Sequence, residues 1–584
     1  MIAARRFLDG FWLALVTFVL SATLVAMAFS VGGLTNANAI LGLIAGFIAT
    51  AFVLWKNPPP EKKTDPSSIA LWNIAAAIAF VLFTLRAFLW LIFQKGEQIA
   101  VLSRNNLGDL PLHIQYIRFF SHGAPLWPVN PIHAHSTIGY PFGIDYFNAL
   151  LDICGIPLWN ALIVTGILGS LATGIALYRW GRAFGIAGFL FNGGAAGLAI
   201  LQTGKWIDYQ QTMDWKCLPL ALFVTQRGFL YALPAGLLLL THWRRAESDE
   251  TAPHPFSTGA IESNSAEKTP LLPAWLEVAI YATMPLFHIH TFLFLSVVLG
   301  TLALLGKNRA RHIRIGLASI LPATIFVWLL TDGFHAGNQL AWQPGWMQGD
   351  HFTATYWLRN FGALPFFIAW LVFVLARKKE RVPWLFVGPA LLVFIATFFI
   401  RFSPWEWDNT KLMMWSYLIL LPYLWNSVLK TTPMLVRITS CLLLFASGFI
   451  SMCGGLGPTE NGYDIADLAT TLSVAHTVDP LPITAIFAAA PEHAHPLVFA
   501  GRRLALGYHG HMVGHGIPYE NEKRAMDDLM LGRDNWQAAA KQLGVRYLYW
   551  GPAEEKTWPA SEKPWISSSE LEATEAWGEI YKLP

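Results

Sequence analysis

Charge is what this chain has least of. Only 13% of its 584 residues are Asp, Glu, Lys or Arg, against about 25% in a soluble globular protein. With 54% apolar residues and a mean hydropathy of +0.43, that deficit points to the bilayer. A strongly basic balance is missing too, since the formal net charge is +3. With no basic tail and no RNA-binding signature, nucleic acid is excluded as a partner. Cysteine is scarce: Cys154, Cys217, Cys441 and Cys453 form no CxxC pair. Cys441 and Cys453 fall in an apolar run as small hydrophobes, and a bridge between Cys154 and Cys217 is left open. There is no HExxH motif, and Gly193-Gly194 and Gly454-Gly455 lack the context of a phosphate-binding loop. No repeat array is visible.

What is abundant is apolar sequence of membrane length, together with 26 Trp and 39 Phe, the rings that fill membrane cores and line their interfaces. Runs lie near 11–29, 39–55, 69–94, 157–178, 184–202, 220–242, 315–331, 363–376, 383–400, 411–429 and 438–455. The first follows Arg5-Arg6, is too long for a signal-peptide core and has no cleavage site after it, so it is read as an uncleaved span. The stretch from Trp275 to Leu305 is long for one helix. Basic residues flank it on both sides (Arg244-Arg245 before; Lys307, Arg309, Arg311 and Arg314 after). The positive-inside rule puts both flanks in the cytoplasm, so the stretch must cross an even number of times. Two short helices turning near Pro285 to His290 satisfy this, their polar turn packed in protein. The expected fold is therefore an α-helical polytopic membrane protein of about thirteen spans. Residues 1–456 form the transmembrane domain, with an external loop at 95–156 and a flexible Ser/Thr/Glu/Pro-rich cytoplasmic loop at 246–273. Residues 457–584 form a small extracytoplasmic α/β domain, with strands at Ile483–Ala490 and Val545–Trp550 and helical spacing over Glu520–Lys541 broken near Gly532.

The external loop carries the most informative residues, Asn105-Asn106-Leu107-Gly108-Asp109-Leu110-Pro111-Leu112-His113 through Phe120. Asp109 is placed to cap a helix with Pro111 in its first turn. His113 follows one turn on, on the same face, and the helix should end near Gly123. Its composition suits a helix lying along the membrane surface. A carboxylate at such an interface can take a proton from an acceptor hydroxyl; the plain alternative is that Asp109 is only an N-cap. Arg227, Arg401 and Lys411 stand at the outer ends of predicted spans, where charges need partners. A lipid phosphate is one such partner; snorkelling, or an Asp408–Lys411 salt bridge, is the other reading. Arg86 is left unassigned. Histidine pairs recur at His133/His135, His288/His290, His493/His495 and His509/His511, a start for a metal site but without accompanying ligands. His288 and His290 sit at the inferred turn, where they are placed to hydrogen-bond a sugar or phosphate.

These features resemble the GT-C superfamily of membrane glycosyltransferases, which includes protein O-mannosyltransferases, oligosaccharyltransferases and aminoarabinose transferases. The resemblance lies at Asp109, at Gly139-Tyr140-Pro141-Phe142-Gly143, at Thr225-Gln226-Arg227-Gly228, at Pro285-Leu286-Phe287-His288 and at Trp405-Glu406-Trp407-Asp408-Asn409-Thr410-Lys411. In the tail, Gly507-Tyr508-His509-Gly510-His511 and Gly544-Val545-Arg546-Tyr547 look like bacterial members. In most of the family the catalytic loop follows the first span; here Asp109 follows the third, which makes the first two spans an added hairpin. The resemblance implies transfer of a sugar from a polyprenyl-phosphate-linked donor to an acceptor on the external face, with inversion. Asp109 would be the base and His113 its orienting neighbour. Arg227, His288, His290, Arg401, Asp408 and Lys411 would bind substrate. It implies partners in the bilayer, a lipid-linked donor and an acceptor of unassigned class, and a place in the bacterial cytoplasmic membrane. One acidic residue stands where several relatives carry a pair, so no metal ligands are assigned and a divalent ion is an open question. A transporter or flippase, and a membrane scaffold with a binding tail, are the other classes compatible with the pattern.

Overall fold

The computed structural model describes residues 2–56, 71–248, 272–334, 340–348, 353–403, 405–457 and 462–584. Positions 249–271 of the loop expected to be flexible lie outside the described residues. The chain begins with an antiparallel hairpin of α1 (Ile2–Phe29) and α2 (Asn36–Lys56), followed by α3 (Leu71–Leu89). The loop expected to be external then folds as β1 (Phe93–Lys95), β2 (Gln98–Val101), α4 (Asn106–Ser121) and α5 (Gly143–Ile153). Next come α6 (Leu158–Leu190), the short α7 (Ile200–Thr203), α8 (Phe229–Glu247), α9 (Ala274–Phe287), α10 (Ile289–Leu305) and α11 (Arg309–Leu330). The rest of the bundle is β3 (Ala341–Trp342), α12 (Thr353–Phe361), α13 (Leu364–Lys378), α14 (Arg381–Ala396), β4 (Ile400–Arg401), α15 (Thr410–Tyr423) and α16 (Met434–Leu456).

Among the described residues, seven helices are long and apolar enough to cross a membrane, or up to eight if the pair Ala354–Phe361 and Leu364–Lys378, bent by 88°, is one span. The helices α9, α10 and α14 are apolar but shorter. The chain is an integral membrane protein. Every residue of α15 is buried, which puts that helix at the centre of the bundle.

Two bends shape the site. The first is at Arg182 inside α6, a non-glycine residue at φ 57°. Trp180 donates to Leu418 O and Tyr417 donates to Gly188 O. Residues 180 and 188 thus touch α15 at one level, although a straight helix would hold them about 12 Å apart. The separate span expected at 184–202 is instead this short return limb, which ends as α-helix at Leu190. The second bend is the break between α9 and α10 at His288, within the expected turn. Both outer flanks of that pair meet at the opposite end. Glu277 of α9 bonds Trp243 of α8 and Arg311 of α11, and Glu247 accepts from the backbone N–H of Asn308. The charge-parity reading of this stretch matches that geometry.

The tail comprises β5 (Tyr463–Asp467), α17 (Leu468–Val478), β6 (Ile486–Ala488), α18 (Pro496–Phe499), β7 (Arg503–Leu504), α19 (His509–Gly514), α20 (Glu520–Leu531), α21 (Trp536–Leu543), β8 (Tyr547–Trp550), α22 (Pro552–Thr557), α23 (Trp565–Ser568), β9 (Glu570–Glu575) and β10 (Gly578–Lys582). Five strands form a mixed sheet in the order β7-β6-β8-β10-β9. The expected strands form as β6 and β8. The expected helical break falls at Gly532, whose φ of 73° suits a residue without Cβ. Strand β5 stands outside this sheet and pairs antiparallel with β2, far earlier in the chain. All four cysteines are free thiols, so the bridge left open between Cys154 and Cys217 is not made.

Candidate active site

Helix α4 begins at Asn106, three residues before Asp109, so Asp109 lies in its first turn and does not cap it. A carboxylate there is favoured by the amide dipoles of the helix start. Its side chain makes no hydrogen bond or ion pair among the described residues, although His113, Lys411 and Asp408 all act on its charge. Desolvation by burial pushes its carboxyl above the ordinary range; His113 and Lys411 pull the other way, and Asp408 adds to the rise.

Every neighbouring carboxylate is committed. His113 Nδ1 donates to both oxygens of Asp145, at 3.0 and 2.9 Å, and the pair is almost wholly buried. Asp145 stands on α5 and received no role from sequence, because its partner lies 32 residues away. Asp408 receives Lys411 Nζ at 2.7 Å and Ser403 Oγ at 2.6 Å. The salt-bridge reading of that pair is therefore correct. Burial raises the Asp408 carboxyl, but Lys411, His290 and Ser403 outweigh it, and the net direction is down.

His288 closes the cluster from the bundle side. Its Nδ1 accepts from the Thr291 backbone N–H at 3.1 Å and faces Thr291 Oγ1 at 2.8 Å, which in turn accepts from Trp415 Nε1 at 2.8 Å. With Nδ1 accepting, the ring proton sits on Nε2. That buried atom has no partner among the described residues. Two glycines allow this break to approach its neighbours: a Cβ on Gly228 would lie 2.2 Å from Phe287 O, and one on Gly143 would lie 2.8 Å from the Phe287 ring. His290, one turn into α10, feels the charges of Lys411 and Asp408.

Arg227 joins the group through Asp145, whose charge acts on it. It is fully buried, and its Nη2 donates to Leu162 O at 3.1 Å. Its Nε and Nη1 have no partner among the described residues, a costly state for a buried guanidinium. Arg401 lies on β4, in register with Ala341.

Sequence reasoning missed the aromatic and tail side of the site. Tyr140 stacks on His515 at 5.1 Å between centroids and meets His113 and Tyr116 edgewise or tilted at 5.8 Å. Burial, with the nearby Asp109 and Asp145, pushes its hydroxyl well above the ordinary range. His511 and His515, one turn apart at α19, stack at 6.4 Å. Burial holds their rings down at about 3 and about 4, with His515 adding to the effect on His511 and Lys411 to that on His515. The signal is a His-x-x-x-His spacing on one helical face, separate from the His-x-His pairs. Among the described residues no group of three or more His, Cys, Asp or Glu side chains is placed to hold a metal ion. His495 instead bonds Glu554 at 3.0 Å, and His509 stacks on Tyr519.

No family model matches the chain, and no curated protein is similar to it. Among solved structures it is similar to the oligosaccharyltransferase of Archaeoglobus fulgidus in its apo form. That match has a TM-score of 0.49 and 10% identity, covering 83% of this chain and 70% of that one. The archaeal oligosaccharyltransferase AglB from the same organism, in complex with an inhibitory peptide and a dolichol-phosphate, matches at a TM-score of 0.46 with 10% identity over 82% and 69%. The A. fulgidus oligosaccharyltransferase tethered to an acceptor peptide matches at 0.40 with 11% identity over 86% and 72%.

Proposed function

We propose that this chain is a GT-C-like membrane glycosyltransferase that moves a sugar from a polyprenyl-phosphate-linked donor to an acceptor, with Asp109 as general base. The observation that carries the reading is the contrast at one point: Asp109 is half-buried and uncommitted, while Asp145 and Asp408 beside it are each held by donors. A desolvated carboxylate with a raised pKa is a stronger base than an exposed one. The acceptor O–H would give its proton to Asp109 as its oxygen attacks the anomeric carbon. The bond from that carbon to the donor phosphate breaks on the opposite face, and its electron pair leaves with the phosphate oxygen. Lys411, the orphan His288 Nε2–H and the open Arg227 guanidinium supply donors for the growing phosphate charge. Asp145 fixes the His113 ring. No step requires a metal ion, and none is routed through one.

The same proposal takes the crossings in an order that leaves the tail and the Asp109 loop on the extracytoplasmic side of the bacterial cytoplasmic membrane. The lysines and arginines favour it, because they concentrate in the loops this order leaves inside. The test is transfer of radiolabel from a panel of polyprenyl-phosphate-linked sugars to acceptors in the membrane fraction. Wild-type membranes should transfer and Asp109→Asn membranes should not, at equal expression and insertion. Full transfer by Asp109→Asn would sink the assignment.

A further inference from the structure

The tail also meets the bundle along a different stripe of α4 from the one that carries Asp109 and His113. Where α6 begins, a crevice of about 380 Å³ opens between α4, the first turn of α6 and α17 of the tail. Its walls are apolar at Leu158, Trp159, Leu468, Leu472 and Phe499. Leu472 is 61% exposed although it belongs to an apolar helix. Trp159 borders the side of α6 on which Asn160 and Val164 are exposed, the side that this long apolar helix turns to lipid. Charged groups share the same walls. Arg118 and His122 stand one turn apart at the end of α4, and Asp479 ends α17. Arg118 Nη1 donates to Asp152 at 3.1 Å, which uses one of the five N–H groups of a guanidinium. His122 Nδ1 donates to Arg118 O at 2.6 Å, and its Nε2 stands 3.2 Å from Asp479 Oδ1. The Arg118 side chain is 36% exposed and that of Asp479 is 62% exposed. One cation and one anion therefore face solvent about a helical turn apart, beside an apolar floor.

We infer that this crevice seats a zwitterionic phospholipid with an amine headgroup, of the phosphatidylethanolamine class. Its phosphate faces the Arg118 guanidinium, its ammonium faces the Asp479 carboxylate, and its first acyl carbons lie on Leu158, Trp159 and Leu472. The charges select this occupant. An anionic headgroup would satisfy Arg118 but set a like charge against Asp479. A purely apolar segment would cover both ions without matching either. In phosphoethanolamine two carbons join the opposite charges, a reach of the same order as one helical turn, about 5 Å. The apolar walls run on to the lipid-facing side of α6, so the acyl chains leave the crevice into the bilayer. A lipid seated in this way ties α17 of the tail to α4 and α6 of the bundle.

The test is native mass spectrometry of the full chain, titrated in detergent with dioleoyl-phosphatidylethanolamine or dioleoyl-phosphatidylglycerol. Wild type should retain the ethanolamine lipid about tenfold more tightly than the glycerol lipid, the size of one hydrogen bond to a charged group. Asp479→Asn should remove that preference, and Arg118→Gln should weaken both lipids by about tenfold. Ala475→Trp fills the crevice and should expel both. Leu472→Asp changes an exposed position, so the fold is safe, and should weaken both by placing a charge on the apolar floor. Equal retention of the two lipids by wild type would overturn the assignment. So would unchanged retention by folded Ala475→Trp or Leu472→Asp. Displacement of the lipid by water-soluble glycerophosphoethanolamine at equal concentration would show a site for the headgroup alone, and would overturn it as well. Asp109 enters none of these readings, so they stand or fall separately from the transferase proposal.

Discussion

The two ends of the membrane bundle bury acidic groups in opposite ways. At the end where α9 begins, Glu277 is fully buried and accepts from Trp243 at 2.7 Å, from Arg311, and from His242 at 3.3 Å. Glu247 accepts from the Lys307 and Asn308 amides and faces His312 at 3.0 Å. These carboxylates are saturated with donors, and each ties together helix ends far apart in sequence: α8 with α9 and α11, and α8 with the α10–α11 turn. At the opposite end Asp109 has no such partner among the described residues, while donors stand open at Arg227, which feels the charge of Asp145, and at His288, which feels that of Lys411. A saturated buried carboxylate is a bracket. A bare one beside unpaired donors calls for an explanation, which the proposed transferase supplies.

That contrast can be broken most directly by neutralising one group at each end. Glu277→Gln should cost about 3–5 kcal/mol of stability, as breaking a buried ion pair does, read as a lower melting temperature in detergent. Asp109→Asn should leave the melting temperature unchanged or raised while transfer falls by about 10²–10⁴-fold. Equal destabilisation by both would erase the distinction. A smaller effect is expected from Asp145→Asn, which leaves Arg227 without its counter-charge and the His113 ring loosely held. Transfer should fall by about 10²-fold with donor binding largely retained, so kcat should move more than KM.

The acid limb of the pH–rate profile sharpens the Asp109 end further. Asp109 must be ionised to act as base, and its pKa is raised, so activity should fall off above the ordinary carboxylate range as pH drops. Lys411 lowers that pKa and Asp408 raises it. Lys411→Met should therefore move the limb to higher pH and Asp408→Asn to lower pH. Shifts of the same sign would be inconsistent with this arrangement. The smallest effect belongs to Cys154→Ser, a half-buried free thiol in neither cluster, which should change stability by no more than about 0.5 kcal/mol.

Much of this architecture was legible in the sequence where the signal is local. Basic flanks required the stretch 275–305 to turn back, and it breaks at His288. A glycine within helical spacing marked the end of α20 at Gly532. Asp109 and His113 are neighbours because they are one helical turn apart. What could not be read is held by contacts between distant positions: Asp145 matters because of a ring 32 residues earlier, and Arg227 because Asp145 lies beside it. The limb after Arg182 looked like a whole span because hydropathy does not register a single residue at positive φ. His511 and His515 could be spaced correctly from sequence, yet nothing local says that α19 reaches across to the start of α4.

The pairing of β5 with β2 has a consequence for the order in which the protein is made. Strand β2 and helix α4 emerge early, whereas β5 and α19 follow the last helix of the bundle. During synthesis β2 must wait with one edge unpaired, the kind of edge that invites wrong partners. Closing so long a loop is slow relative to local folding. The site is therefore completed last, when the tail arrives, and a truncated or stalled chain has every helix of the bundle but no finished site.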